Sequence, residues 1–336
     1  MRPTDVSRRC KPITRLRFEI EIGLVAAYTA MFAILVGLGS LASVGLAIIL
    51  GIVWAVICVF LWRLYTVRIG NRLNAGIIAV ATMTVTENRA YNDPITAGRQ
   101  LYANRFPKGR LYRPVRSSIR HSILQIQTYF ERMTDPVGDI TGMRLLNKLG
   151  KFFQHLTLRY VTDACISYTF WCHDLEVWQA AGDSVAVYAF NWKRLTKDAS
   201  EIIVSEIAIL LAGTAALSVF FMWLFGLIGI GAYSFYAILL SAMLVSVIKR
   251  ATLNPFLTGK AILTYVDDAQ RTVLTEKLYV QLSHVSPQYR QLLVHADAAD
   301  QEAAAPAKKS GRTGKPSGKT NREPSAQKSR KNNSRF

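Results

Sequence analysis

Polar and apolar positions along this chain fall into long blocks rather than a fine alternation. From Ile22 to Trp62 run 41 residues without Asp, Glu, Lys, Arg or His, and from Ile207 to Ile248 run 42. A helix crosses a hydrocarbon core of about 30 Å with about 20 apolar residues. Each block therefore has the length of two crossings and is too short for three. Gly37, Gly39, Ser40, Ser43 and Gly45 interrupt the first block, and Gly226, Gly229 and Gly231 the second. Gly and Ser are tight-turn residues, so the pattern predicts an all-α integral membrane protein with four transmembrane helices arranged as two hairpins.

The blocks divide the chain. Residues 1–21 form a basic N-terminus, 22–62 the first hairpin, 63–201 a helical region, 202–248 the second hairpin, 249–305 further helices, and 306–336 a basic tail. Between the hairpins the apolar spacing is helical. Asp93-Pro94 is a cap followed by a first-turn proline and predicts a helix start. From Val115 to Met133, the residues Ile119, Ile123, Ile126, Phe130 and Met133 recur at three- and four-residue steps and mark one apolar helix face. Asp135-Pro136-Val137-Gly138-Asp139 breaks the chain.

A helix over about 141–171 then carries Leu145, Leu149, Phe152, Leu156 and Tyr160 on one side. Lys148, Lys151, His155 and Arg159 line another. Such a basic amphipathic helix lies in the headgroup plane or packs as an ordinary bundle helix, and the spacing alone leaves both open. Leu175, Trp178, Val185 and Tyr188 predict one more helix, running through Trp192 toward the third span. After the second hairpin, Asn254-Pro255 predicts a helix start running to Ser283, and Ser286-Pro287 another ending near Ala305.

Small residues recur every fourth position within the spans: Ser43, Ala47, Gly51 and Ala55 in the second, Ala208, Ala212 and Ala216 in the third. Such lines let a neighbouring helix approach closely, and they are the candidate helix-packing residues. Glu206, one residue before the second block, reads as an interfacial charge that reaches water.

Composition fits this layout, and charge orients it. Only 19% of residues are charged and mean hydropathy is +0.19. Net charge is +19, from 41 Lys and Arg against 22 Asp and Glu, and neither predicted hairpin turn holds a basic residue. Basic flanks stay on the cytoplasmic side. The N-terminus, the middle region and the C-terminus are therefore expected in the cytoplasm, with a bacterial inner (plasma) membrane as the location. No cleavable signal is evident, because the first apolar run exceeds the ~7–15 residues of a secretory h-region.

The tail, 306–336, holds ten Lys and Arg against Glu323 alone. It has too few apolar residues to fold and is expected to be disordered. Lys308, Lys309, Arg312, Lys315, Lys319, Lys328, Arg330 and Lys331 are its candidate contacts to an anionic surface, where each basic residue contributes up to about 1 kcal/mol. Apart from Phe336 it has no aromatic residue, so it offers no base-stacking platform. Nucleic acid and the ribosome rank as the weaker expectation.

Reactive constellations are sparse. The chain has no His-Glu-x-x-His, no phosphate loop with Gly-Lys-Ser/Thr and no Gly-x-Ser-x-Gly elbow. Cys165, Cys172 and His173 lack a standard zinc spacing and read as core residues. Asp267 and Asp268 are adjacent on a helix, point about 100° apart and read as a charged face. Cys10, beside the first span, is a candidate for palmitoylation. No enzyme activity and no cofactor is expected.

The functional expectation is a non-enzymatic polytopic inner-membrane protein, a scaffold or membrane-complex subunit. Its basic cytoplasmic part binds a protein partner or the anionic membrane surface, and a second copy of the chain is a further candidate partner. A transporter or channel subunit is the alternative. The run from Val185 to Asp267-Asp268 resembles the C-terminal part of choline transporter-like proteins over about a quarter of the chain, carries no diagnostic motif, and assigns no family. A membrane-shaping hairpin protein, similar in layout to reticulons, is the third reading.

Overall fold

The computed structural model describes residues 2–107, 111–134, 144–227 and 235–309, and every regular element among them is helical. The first helix, α1, runs unbroken from Pro3 to Ala42. The basic N-terminus and the first half of the first uncharged block are thus one helix. Val6, Cys10 and Ile13 explain why: all three are buried in the main core, so packing holds the polar third of this helix in place. Cys10 is among them, its thiol directed at the Ile77 carbonyl 3.9 Å away. Burial of the Cys10 thiol disfavours it as a site of palmitoylation.

The first break is sharper than the glycines suggest. Only Ser43 separates α1 from α2 (Val44–Tyr65). Ser43 is fully extended, its N–H donates to the Gly39 carbonyl, and its hydroxyl caps the Leu46 N–H at 3.1 Å. Gly39 is used for contact instead of turning: a Cβ there would come 2.8 Å from the Ala47 Cα. Trp54 donates to the Tyr28 carbonyl at 3.0 Å, and the Tyr65 hydroxyl lies 3.5 Å from Glu21 Oε1. These three contacts run in opposite senses along the two helices.

A π-helical turn, Thr66–Gly70, joins α2 to α3 (Asn71–Glu87). α4 (Pro94–Arg105) starts where expected, with Asp93 accepting from the Ile95 and Thr96 N–H groups. α5 (Tyr112–Thr134) and α6 (Arg144–Trp171) follow. On α5, Ile119, Ile123 and Ile126 are fully buried and Phe130 is half-buried, but Met133 is exposed, because the helix has by then passed the edge of the core. From Leu158 to Ser167 every residue of α6 except Arg159 is buried, which makes this half a bundle helix. The side chains of Leu145, Lys148, Leu149, Lys151, Phe152 and His155 lie outside the described residues.

α7 (Val177–Phe190) stops at Asn191, and α8 (Trp192–Leu227) begins at once. The junction at Gly229 and Gly231 lies outside the described residues. α9 runs from Phe235 to Arg271 with Pro255 inside it. Asn254-Pro255 therefore opens no helix. Leu257, Ile262, Tyr265 and Val266 bury one continuous face beyond the proline, and that burial outweighs a lost backbone bond and the ~3 kcal/mol a proline costs in a helix interior. α10 (Glu276–Val285) and α11 (Pro287–Lys309) close the described chain, α11 extending past Ala305.

The core joins α1, α3, α5, α6, α7, α9 and α11 through Tyr112, Ile119, Tyr160, Tyr188, Tyr265 and Tyr289. Among the described residues, four helices are long and apolar enough to cross a membrane: Pro3–Ala42, Val44–Glu87 (which includes the π-helical turn), Trp192–Leu227 and Tyr236–Arg271.

Candidate anion-binding cavity

Where the uncharged segments end, polar side chains are drawn inward. Glu21, the last residue before the first block, is wholly buried. Arg17, one turn earlier on α1, binds it at 2.9 Å, and Arg250, just past the second block, lies 3.7 Å away. The Arg250 guanidinium also sits 5.0 Å over the Trp62 ring. Burying two cations and one carboxylate requires mutual pairing, since the desolvation cost of a bare charge is several kcal/mol. A second group forms beside it: Lys249 and the Tyr160 hydroxyl, the latter at 2.7 Å, both bind Glu206. Glu206 is thus held by partners and largely shielded, not turned to water.

Above this layer opens a cavity of about 740 Å³. Its walls come from α1, the π-helical turn, α3, α5, α6 and α9, and six arginines line it: Arg17, Arg113, Arg116, Arg120, Arg159 and Arg250. No Asp or Glu is among the lining residues. α5 supplies the wall by periodicity. Ile119, Ile123 and Ile126 face the core, and Arg113, Arg116 and Arg120, at three- and four-residue steps, lie along the strip beside that face.

Glu21 and a second carboxylate, Asp163, steady the arginines from behind. Asp163, buried in α6, takes Arg116 at 2.6 Å and the Asn74 amide at 3.3 Å. The Asp163 charge holds the Arg116 guanidinium above its ordinary range against the opposing effect of burial. Arg113 donates to the Val67 carbonyl of the π-helical turn. The Tyr112 hydroxyl lines the cavity, is buried and has no hydrogen-bond partner in the structure. Burial pushes its pKa up, so it is a neutral donor at physiological pH.

Guanidinium groups present paired N–H donors that match the spacing of phosphate and carboxylate oxygens. Six around one volume, with a tyrosine hydroxyl beside them, are the kind of donor set that a multiply charged oxyanion would require. The volume lies within the roughly 300–1,000 Å³ of small-molecule sites.

The residues singled out from sequence lie elsewhere. Arg312, Lys315, Lys319, Lys328, Arg330 and Lys331 are outside the described residues, as are the side chains of Lys308 and Lys309 at the end of α11. Ala47 and Gly51 are buried, Ala55 is half-buried and Ser43 is exposed. A Cβ on Gly51 would meet the Tyr236 hydroxyl at 2.4 Å. Ala208, Ala212 and Ala216 lie on the exposed face of α8, and the close approach to α9 is made at Gly213 against Val245. Asp268 is buried and bound by Arg194 at 2.8 Å, so only Asp267 belongs to a charged face. Sequence reading missed the cavity arginines because only the apolar face of α5 was followed. The step from Arg113 to Arg116 to Arg120 was the available cue.

The chain matches no family model, and no curated protein or solved structure is significantly similar to it.

Proposed function

We propose that this protein is a non-enzymatic four-span inner-membrane protein whose cytoplasmic helical body binds a phosphate-bearing anion at the membrane border. In this reading α1 with α2, and α8 with α9, are the two membrane hairpins, and the remaining helices stand together on the cytoplasmic side. The observation that carries it is the cavity lined by six arginines and no carboxylate, placed where both uncharged segments end. Membrane-border placement suits a ligand reaching the site from the aqueous phase or as a headgroup. Both sources share one chemistry, the phosphate oxyanion.

The test uses the full chain purified in mild detergent. Calorimetric titration with inorganic pyrophosphate forms one arm, and co-sedimentation with phosphatidylglycerol vesicles forms the other. Saturable pyrophosphate binding that is lost in Arg113→Ala/Arg120→Ala supports a soluble ligand. Vesicle binding lost in the same variant, without a pyrophosphate response, identifies a headgroup. Absence of both, or a variant indistinguishable from wild type in both, overturns the reading. Anion flux in proteoliposomes would replace the binding role with transport.

A further inference from the structure

The π-helical turn has two sides. Thr66, Gly70, Asn71 and Asn74 line the arginine cavity, whereas Arg68, Ile69, Arg72 and Leu73 face a separate groove of about 520 Å³ between α1, α3 and α4. Ile13 and Leu16 of α1, Leu73 and Gly76 of α3, and Tyr102 and Phe106 of α4 make its apolar wall. Its base is sealed where α3 and α4 touch backbone to backbone: a Cβ on Gly98 would lie 3.1 Å from the Gly76 carbonyl oxygen. A side chain at Gly98 would press on the α3 backbone, whereas a Cβ at Gly76 would make ordinary contact at 3.6 Å.

The rim has the opposite character. Arg68, Arg72 and Arg99 are exposed and line the groove, and none has a hydrogen-bond or carboxylate partner among the described residues. No Asp or Glu lines the groove. A polar ligand alone would leave the apolar wall wet, and an apolar ligand alone would leave three guanidinium groups unanswered. Phe60, Leu64 and Val67, at helical spacing and all exposed, continue the apolar surface of the first uncharged segment up to the residue before Arg68.

We infer that this groove is a binding site for one anionic phospholipid. The phosphate-bearing headgroup lies among Arg68, Arg72 and Arg99, and an acyl chain lies along Leu16, Leu73, Tyr102 and Phe106. The occupant follows from charge complementarity, the length of the apolar wall and its continuity with the segment proposed to cross the bilayer. The site goes beyond the arginine cavity and does not depend on it: the two lie on opposite sides of the π-helical turn and share no lining residue.

Native mass spectrometry of the full chain, extracted in mild detergent and exchanged into equal phosphatidylglycerol and phosphatidylcholine, tests the assignment. Wild type retains phosphatidylglycerol in preference. Arg68→Ala/Arg72→Ala/Arg99→Ala loses that preference by about tenfold or more. Ala103→Trp keeps all three charges, fills the groove from its exposed edge and loses retention of both lipids. Arg113→Ala/Arg120→Ala still retains phosphatidylglycerol in the groove, whatever the arginine cavity takes. An unchanged preference in the triple variant overturns the site, as does unchanged retention in Ala103→Trp. Complete loss in the cavity variant also overturns it, since the groove would then hold no lipid by itself.

Discussion

Glu21 accepts from Arg17 at 2.9 Å and lies 3.7 Å from Arg250. One buried carboxylate thereby ties the first uncharged segment to the second across most of the sequence. It also fixes two of the cavity arginines, so the stability of the fold and the shape of the site share a residue.

Replacing Glu21 by Ala leaves Arg17 and Arg250 facing one another without a counter-charge. Breaking a buried ion pair by removing one partner costs about 3–5 kcal/mol. Thermal unfolding of the variant in detergent is expected to fall well below wild type. Glu21→Ala/Arg17→Met should recover part of the loss, because it removes one of the two stranded cations.

Arg116 and Arg120 separate structural from binding roles. Arg116→Ala strands the buried Asp163 carboxylate and is expected to cost about 3 kcal/mol or more of stability. Arg120→Ala is expected to weaken oxyanion binding about tenfold, in line with the loss of one charge-assisted contact worth ~1.5–3 kcal/mol. Paired melting curves and titrations distinguish the two.

Asp183 of α7 predicts a pH dependence. Burial raises its pKa, partly offset by the Tyr279 hydroxyl donating at 2.7 Å. A carboxyl with a folded pKa above its unfolded value binds its proton more tightly in the native state. Its stabilising contribution is complete below the unfolded value of about 3.9 and is lost as pH rises through the folded value. Asp183→Asn keeps a hydrogen-bonding group without the charge. Its stability should fall less than that of wild type between acid and neutral pH, as read by melting temperature across that range.

Thiol accessibility checks the helical body. Cys165 is fully buried and its thiol pKa is pushed up by that burial, while Cys172 is half-exposed with a smaller upward push of the same cause. Cys10 is sealed against Ile77. Maleimide should label Cys172 first in the native protein and reach Cys10 and Cys165 only on denaturation. Rapid native labelling of Cys10 would contradict the packing of the N-terminal third of α1.

The long apolar helices were legible because absence of charge over a stretch is a local property. The Asp93 cap was legible for the same reason, as its partners are two and three residues away. The continuation of α9 through Pro255 was not, because the burial of Leu257, Ile262 and Tyr265 that overrides the proline comes from other helices. Nor was the turn at Ser43, since Gly37 and Gly39 carry the same turn propensity, and Gly39 is instead committed to contact with Ala47. The cavity was half-legible. Arg113, Arg116 and Arg120 share a face that the sequence displays, but Arg17, Arg159 and Arg250 join them only through the packing of α1, α6 and α9 on α5.

Diffraction from crystals soaked with tungstate, a heavy oxyanion with the shape and charge of phosphate, locates a bound anion without reference to function. An anomalous peak inside the cavity, within contact of Arg113, Arg116 or Arg120, is the predicted result. A cavity without a peak, in a crystal where tungstate binds other basic surfaces of the same chain, would contradict the account.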